Sequence, residues 1–291
     1  MKQLIRRAPR VLPIALLLLA MASFQAGASI AKTMFPLVGP VGMVTVRIVL
    51  GTAILAIILK PWRARIAPAS RQALVVYGVS LGVMNLCFYA ALSRIPLGVT
   101  VAVEFSGPLA VAVFTSRRGL DFCWVVLAIG GLLLLLPIGH LGAGIDPVGI
   151  LYALGAGACW ALYIVFGQKA GAAHGAQTVA LGSVISTIII APIGLVTAGS
   201  ALLSRSILLP GLAVATLSTA LPYTLEMIAL TRMPARTFGI LMSVEPALAA
   251  LFGLVCLNER LSGMQWSAIA LIIAASVGTT ASMQQKVPMP G

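Results

Sequence analysis

The sequence predicts an all-α integral membrane protein: ten transmembrane helices arranged as two five-helix repeats inserted in opposite orientations. Three observations lead there. Hydrophobic residues form 60% of the 291-residue chain and charged ones only 9%, against about 25% charged in an ordinary soluble domain. That leaves too little polar material to cover a water-soluble surface. The apolar residues fall into ten runs of near-spanning length, and the chain matches itself when shifted by 138 residues.

About 20 apolar residues cross a bilayer as a helix. Such runs lie at 12–34, 41–59, 74–93, 97–115, 122–139, 147–168, 178–198, 207–230, 237–257 and 264–283. The first follows Lys2, Arg6, Arg7 and Arg10 and reaches the small residues Ala26 and Ala28, a layout shared with a secretory signal peptide. Cleavage there would leave nine spans. The polar stretch "SFQAGASIAK" runs directly into more apolar sequence, which suits a retained helix better. The third span ends in "ALSRIP" and the eighth in "ALTRMP", so in both cases a proline-stopped turn leads into the next helix. The fifth, with "GGLLLLLPIG", and the seventh, with "STIIIAPIGLV", are the plainest.

The net charge of +13 comes from short basic runs between the spans, so it is a membrane-orientation signal and not a nucleic-acid surface. With the amino terminus inside, fourteen Lys and Arg fall on the cytoplasmic side, among them Lys60, Arg63, Arg65, Arg71, Lys169, Arg232 and Arg236. Only Arg94, Arg205 and Arg260 fall outside. Both termini are therefore expected in the cytoplasm. Cys87, Cys123, Cys159 and Cys256 lie in apolar runs without CxxC spacing, so neither a disulfide framework nor a metal site is expected. His140 and His174 sit in connecting segments and receive no role.

The repeat extends well beyond the hexamer. Ser80 falls on Ser218, Arg94 on Arg232, Pro96 on Pro234, Pro108 on Pro246 and Phe114 on Phe252; at an offset of 137, Lys32 falls on Lys169. The expected units are 1–139 and 147–283, followed by a short cytoplasmic tail at 284–291. Each unit has an odd number of spans, so the second must enter the membrane upside down. That is the inverted-topology repeat of many secondary transporters, in which two pseudo-equivalent halves exchange conformations.

The stretches "AMASFQAGASIAKTMFPLVG", "EFSGPLAVAVFTSRR", "LGAGACWALYIVFGQKAGAAHG" and "STALPYTLEMIALTRMPARTFGILMSVEPALAAL" carry a resemblance that spans the whole chain. It resembles the drug/metabolite transporter superfamily, in its ten-helix branch with two EamA-type five-helix repeats. The resemblance implies a multi-pass protein of the bacterial inner membrane that exports small amino acids, threonine and homoserine first. Another metabolite, or amphipathic drugs, is the alternative cargo. The expected partners are a small amino-acid substrate and the lipid bilayer, without nucleic acid; a homodimer is left open.

Ionisable residues inside a membrane are costly, and each is a candidate site. Five qualify: Lys32, Arg47, Glu104, Glu226 and Glu245. Asp121, Asp146 and Glu259 lie at helix ends or in loops and read as solvated. Glu104 and Glu245 fall near mid-helix, where a carboxylate costs about 2.5–3.5 kcal/mol to insert. In the repeat register Glu104 maps to Met242, three residues before Glu245, so the two acids share a face of equivalent helices. Pro108 cannot bond the carbonyl of Glu104, nor Pro246 that of Met242. A carboxylate and a freed carbonyl in each half could hold a substrate ammonium, or the carboxylate could carry a proton. Structural pairing of these acids with Lys32 or Arg47 is the competing reading.

Arg47 could clasp a substrate carboxylate, or pair with a buried glutamate. Lys32 and Glu226 are candidate gate residues, although snorkelling alone accounts for Lys32. Asn85 and Tyr223 coincide under the 138 shift and complete the candidate site. Ser23, Gln25, Trp160 and Tyr163 are further pocket candidates, and Gly27, Gly155 and Gly157 allow close helix approach. No GxxxxGK[ST] or HExxH occurs, so neither ATP hydrolysis nor metalloprotease chemistry is expected of the chain, which is read as a transporter and not an enzyme. No cofactor is expected, and a proton gradient is the expected driving force.

Overall fold

The computed structural model describes residues 11–64, 66, 68–115, 123–124, 126–127, 129–131, 134, 146–175, 177–230, 241–242 and 244–282. Eleven α-helices order them: α1 Val11–Thr33, α2 Phe35–Leu59, α3 Arg71–Leu92, α4 Leu97–Glu104, α5 Ser106–Thr115, α6 Pro147–His174, α7 Gln177–Ala198, α8 Arg205–Ala215, α9 Leu221–Leu230, α10 Glu245–Leu257 and α11 Gly263–Ser282. No strand occurs among the described residues. Among the described residues, six helical segments are long and apolar enough to cross a membrane: 12–33, 35–59, 68–92, 147–172, 177–203 and 205–226. Most of the expected fifth span and the start of the ninth lie outside the described residues.

The elements follow the chain's own punctuation. Only Met34 separates α1 from α2, and α2 bends at Gly39, whose φ of 69° precedes Pro40. The expected second span therefore begins six residues early. The α3–α4 turn falls on the "SRIP" of the first hexamer, with Pro96 opening α4. Asp146 caps α6 by accepting from the Val148 N–H at 2.8 Å, as Asp does at a helix start. Asn258 stops α10 with a left-handed backbone, φ 55°.

Two expected spans are broken at mid-length. The fourth divides at Phe105, between α4 and α5, and the ninth is interrupted at Val244, immediately before α10. Pro108 and Pro246 lie three and two residues beyond these breaks and explain them, since neither can donate to the preceding turn. The eighth span is interrupted differently. Between α8 and α9, residues Thr216–Ala220 form a π-turn in which the Leu221 N–H reaches back to the Thr216 carbonyl.

Packing interleaves the two ends of the chain. α1 lies against α9, α10 and the π-turn, and α2 against α7 and α8. α3 lies against α6 and α7, and α4 against α6 and α10. Small residues permit the closest crossings. A methyl group on Gly27 would lie 2.7 Å from Ser218 Cβ, and one on Gly157 would lie 2.7 Å from the Glu104 carbonyl oxygen. Gly155, expected to act alike, meets only Cys87 Sγ at an ordinary 3.7 Å.

Gly157→Ala therefore presses on backbone that cannot swing away. It is expected to cost about 1–3 kcal/mol and to lower the melting temperature of the detergent-solubilised protein by several degrees. Gly171→Ala, where nothing lies within 4 Å, is the control and should leave melting unchanged or slightly raised.

Candidate functional site

The site begins at the π-turn. A π-turn leaves carbonyls without their usual helical donors, and two of them are taken by side chains from other helices. Ser23 Oγ of α1 donates to the Leu217 carbonyl at 2.6 Å. Arg47 of α2 donates through Nη2 to the Ser218 carbonyl at 2.9 Å, and through Nε to Thr219 Oγ1 at 3.1 Å. The guanidinium is 1% exposed and lies between aromatic rings, 5.2 Å from the centroid of Phe24 and 5.4 Å from that of Tyr89. Such stacking suits an arginine held out of water. Its third arm, Nη1, and the buried Tyr89 hydroxyl lie within electrostatic reach of each other and have no other hydrogen-bond partner in the protein.

A second cluster lies at the helix breaks. Glu245 is the first residue of α10, where the helix dipole favours a carboxylate. It is 7% exposed, and its Oε1 accepts from Gln25 Nε2 of α1 at 3.3 Å. Glu245 Oε2 and Gln25 Oε1 have no partner in the protein. Glu104, also 7% exposed, ends α4. It lies within electrostatic reach of both Arg47 and Glu245. Trp160 of α6 meets Phe105, at the break itself, edge to face at 5.7 Å.

Other expected site residues surround these two clusters. Tyr223 lies beside Asn85, and Asn85 Nδ2 also donates to the Leu81 carbonyl one turn earlier at 2.7 Å. Glu226 lies within electrostatic reach of Glu245; its expected contact with Arg232 falls outside the described residues. Tyr163 stacks on Tyr77 at 4.7 Å. Arg47, Glu104, Glu245, Asn85 and Tyr223 thus belong to one buried polar region. Tyr89 joins them without having been expected, because nothing in "CFYAAL" separates it from a packing aromatic.

Lys32 and Glu259 require a correction. Lys32 neither snorkels freely nor pairs with a buried glutamate of the site. Its Nζ contacts Glu259 Oε1 at 2.6 Å and donates to the Ile95 carbonyl at 3.1 Å. Glu259 was expected to be solvated, yet its side chain is 13% exposed and its Oε2 accepts from the Leu97 N–H at 2.8 Å. The acid is brought there by the left-handed stop at Asn258, after which the Glu259 N–H bonds the Gly253 carbonyl at 3.0 Å.

Asp146 does remain at the surface, joined to Arg94 at 2.8 Å. The Arg94 hydrogen bond, with that of the Val148 N–H, holds its carboxyl below the usual range. At the other end of the bundle Ser70 Oγ and His174 Nε2 lie 2.8 Å apart. Among the described residues no group of His, Cys, Asp or Glu gathers to hold a metal.

Apolar spanning helices broken around buried charges of both signs define a membrane transport protein. Comparison with known proteins makes the class specific. Residues 147–281 match the EamA-like transporter family, and the chain belongs to that family. It is 58% identical over 281 residues to the threonine/homoserine exporter RhtA of Salmonella typhimurium (strain LT2), covering 97% of this chain and 95% of that one. It is 56% identical over 282 residues to the Escherichia coli (strain K12) exporter of the same name, covering 97% and 96%. A protein of known crystal structure shares the fold with a TM-score of 0.64 at 19% identity, covering 95% of this chain and 99% of the other.

Proposed function

We propose that the chain is a secondary-active exporter of threonine and homoserine in the bacterial inner membrane, working by alternating access and coupled to the proton gradient. The observation that carries this reading is the near full-length identity of 56–58% to exporters of those amino acids. The chemistry of the buried region supports it. An amino-acid zwitterion needs donors for its carboxylate and acceptors for its ammonium. Arg47 Nη1 and the Tyr89 hydroxyl face no acceptor other than each other, and Glu245 Oε2 and Gln25 Oε1 are unspent acceptors. In this reading the carboxylate docks at the π-turn arginine and the ammonium at the α10 start. Glu104 lies within reach of both charges. Glu104 or Glu245 carries the coupling proton between turnovers.

Ten helices in two inverted halves supply the motion. Under the 138-residue shift the helix pairs exchange: α1 on α9 corresponds to α6 on α3, and α2 on α8 to α7 on α3. Arg47, which meets Ser218 and Thr219, corresponds to Ile185, which meets Gly78. Two interchanging halves can rock about a fixed centre. Both termini are assigned to the cytoplasm from the Lys and Arg distribution. The ends of the bundle are consistent with that assignment, with Lys32, Arg94, Asp146 and Glu259 linked at one and Lys60, Ser70, His174 and Gln177 at the other.

Counterflow of labelled threonine in proteoliposomes tests the reading. Unlabelled threonine or homoserine on the trans side is expected to accelerate entry of label, which a carrier does and a channel does not. Entry that ignores trans substrate would overturn it.

A further inference from the structure

The first hexamer turn, Ser93–Pro96, is tied down from two sides. Arg94 reaches Asp146 at the start of α6. On the other side Lys32, at the end of α1, donates to the Ile95 carbonyl, while Glu259, beyond α10, accepts from the Leu97 N–H. The two side chains then join each other at 2.6 Å. One ion pair therefore draws together three separate parts of the bundle: the α1 end, the α3–α4 turn and the α10–α11 connection. The two ties differ in kind. The Arg94–Asp146 side chains are 45% and 31% exposed, whereas those of Lys32 and Glu259 are only 23% and 13% exposed. Exposed pairs contribute little; partly buried ones with additional hydrogen bonds hold more firmly, and losing one member leaves the other poorly solvated.

Beneath the pair lies a tightly closed layer. Ala28, one turn deeper on α1, is 1% exposed and shares an apolar cluster with the fully buried Leu97 and Ala249. This layer stands between the Lys32–Glu259 pair and Gln25, which lies three residues deeper than Ala28 and holds Glu245. While α1, the α3–α4 turn and the α10–α11 connection stay joined, this buried layer separates Gln25 and Glu245 from the Lys32–Glu259 end of α1.

We propose that Lys32 and Glu259 form the latch of the outer gate, closed in the described conformation and broken whenever substrate leaves on that side. The inference rests on the carrier reading and orientation given above. It adds Glu259 as the latch partner and the Ile95–Leu97 backbone as the strike against which both side chains close. A latch of this kind biases a two-state equilibrium, so weakening it shifts the population toward the outward-open state.

The test uses a chain whose four cysteines are replaced by serine, carrying one reporter at a time. Ala28→Cys reports on the outer layer. Ala180→Cys, fully buried near Leu55 in the opposite half of the bundle, reports on general loosening. Glu259→Gln keeps an oxygen for the Leu97 N–H and removes only the charge, and Lys32→Met keeps the chain length.

Each variant is expected to raise the rate of labelling of Ala28→Cys by a membrane-impermeant maleimide, added from the outside, by about tenfold. Labelling of Ala180→Cys from the inside should not rise. The Lys32→Met/Glu259→Gln double variant should do no more than Lys32→Met alone, since that change already removes both the ion pair and the bond to the Ile95 carbonyl. Unchanged labelling of Ala28→Cys in both single variants overturns the latch, as do equal rises at the two reporters or additive effects in the double variant. Threonine counterflow by the unlatched variants is measured in parallel. Its loss in the parent chain bears on the carrier reading alone, and the labelling result stands independently of it.

Discussion

Arg47→Lys is expected to lower threonine transport at limiting substrate by about one hundredfold while leaving the protein inserted and folded. The change keeps a cation at the position, so any loss reports on geometry and not on charge. Arginine here works as a fork. Nε and Nη2 are committed to Thr219 Oγ1 and the Ser218 carbonyl, which aims the remaining arm. A lysine ammonium on a flexible stem can satisfy the freed carbonyl or reach the substrate carboxylate, but it cannot hold both in the fixed planar arrangement. One charge-assisted hydrogen bond contributes about 1.5–3 kcal/mol, and each 1.4 kcal/mol is tenfold, which sets the size of the effect. The measurement is initial efflux rate against substrate concentration in proteoliposomes, with melting temperature as the folding control. Transport within threefold of the parent would show that Arg47 only braces the π-turn.

Glu245→Gln is the second large effect. The replacement has the same shape, can still begin α10 and keeps an oxygen for the Gln25 amide, which now sits 3.3 Å from Oε1. What it removes is the charge that would hold an ammonium and the ability to take up and release a proton. Threonine uptake into inverted vesicles, driven by an imposed proton gradient, is expected to fall at least about tenfold. Glu104→Gln is the companion variant. The pattern assigns the roles: loss of gradient-driven uptake with counterflow retained marks the proton carrier, and loss of both marks the ammonium ligand. Parent-like uptake by both variants removes the two carboxylates from the mechanism.

Much of this region is legible in the amino-acid sequence. Buried charges are scarce enough in so apolar a chain that Arg47, Glu104 and Glu245 stand out one by one. Pro108 and Pro246 also announce backbone disruption, and the breaks at Phe105 and Val244 lie within a turn of them. Other features are hidden for identifiable reasons. A π-turn inserts a residue without changing composition, so "TLSTA" reads like any stretch of spanning helix. The Lys32–Glu259 contact joins residues 227 apart in sequence; hydropathy weighs each alone, finding a lysine near one end and an acid in a loop. Gln25 is visible as polar, but its pairing with Glu245 depends on how α1 crosses α10.

The π-turn has one more consequence if the halves exchange as proposed. Ser80 and Ser218 coincide in the repeat, yet Ser80 lies in the uninterrupted helix α3 while Ser218 lies in the turn. Swapping the arms therefore does not return the molecule to itself. A perfectly duplicated machine would rest with equal weight on either stroke of its cycle; this one carries a thumb on the scale, written into the backbone of a single arm.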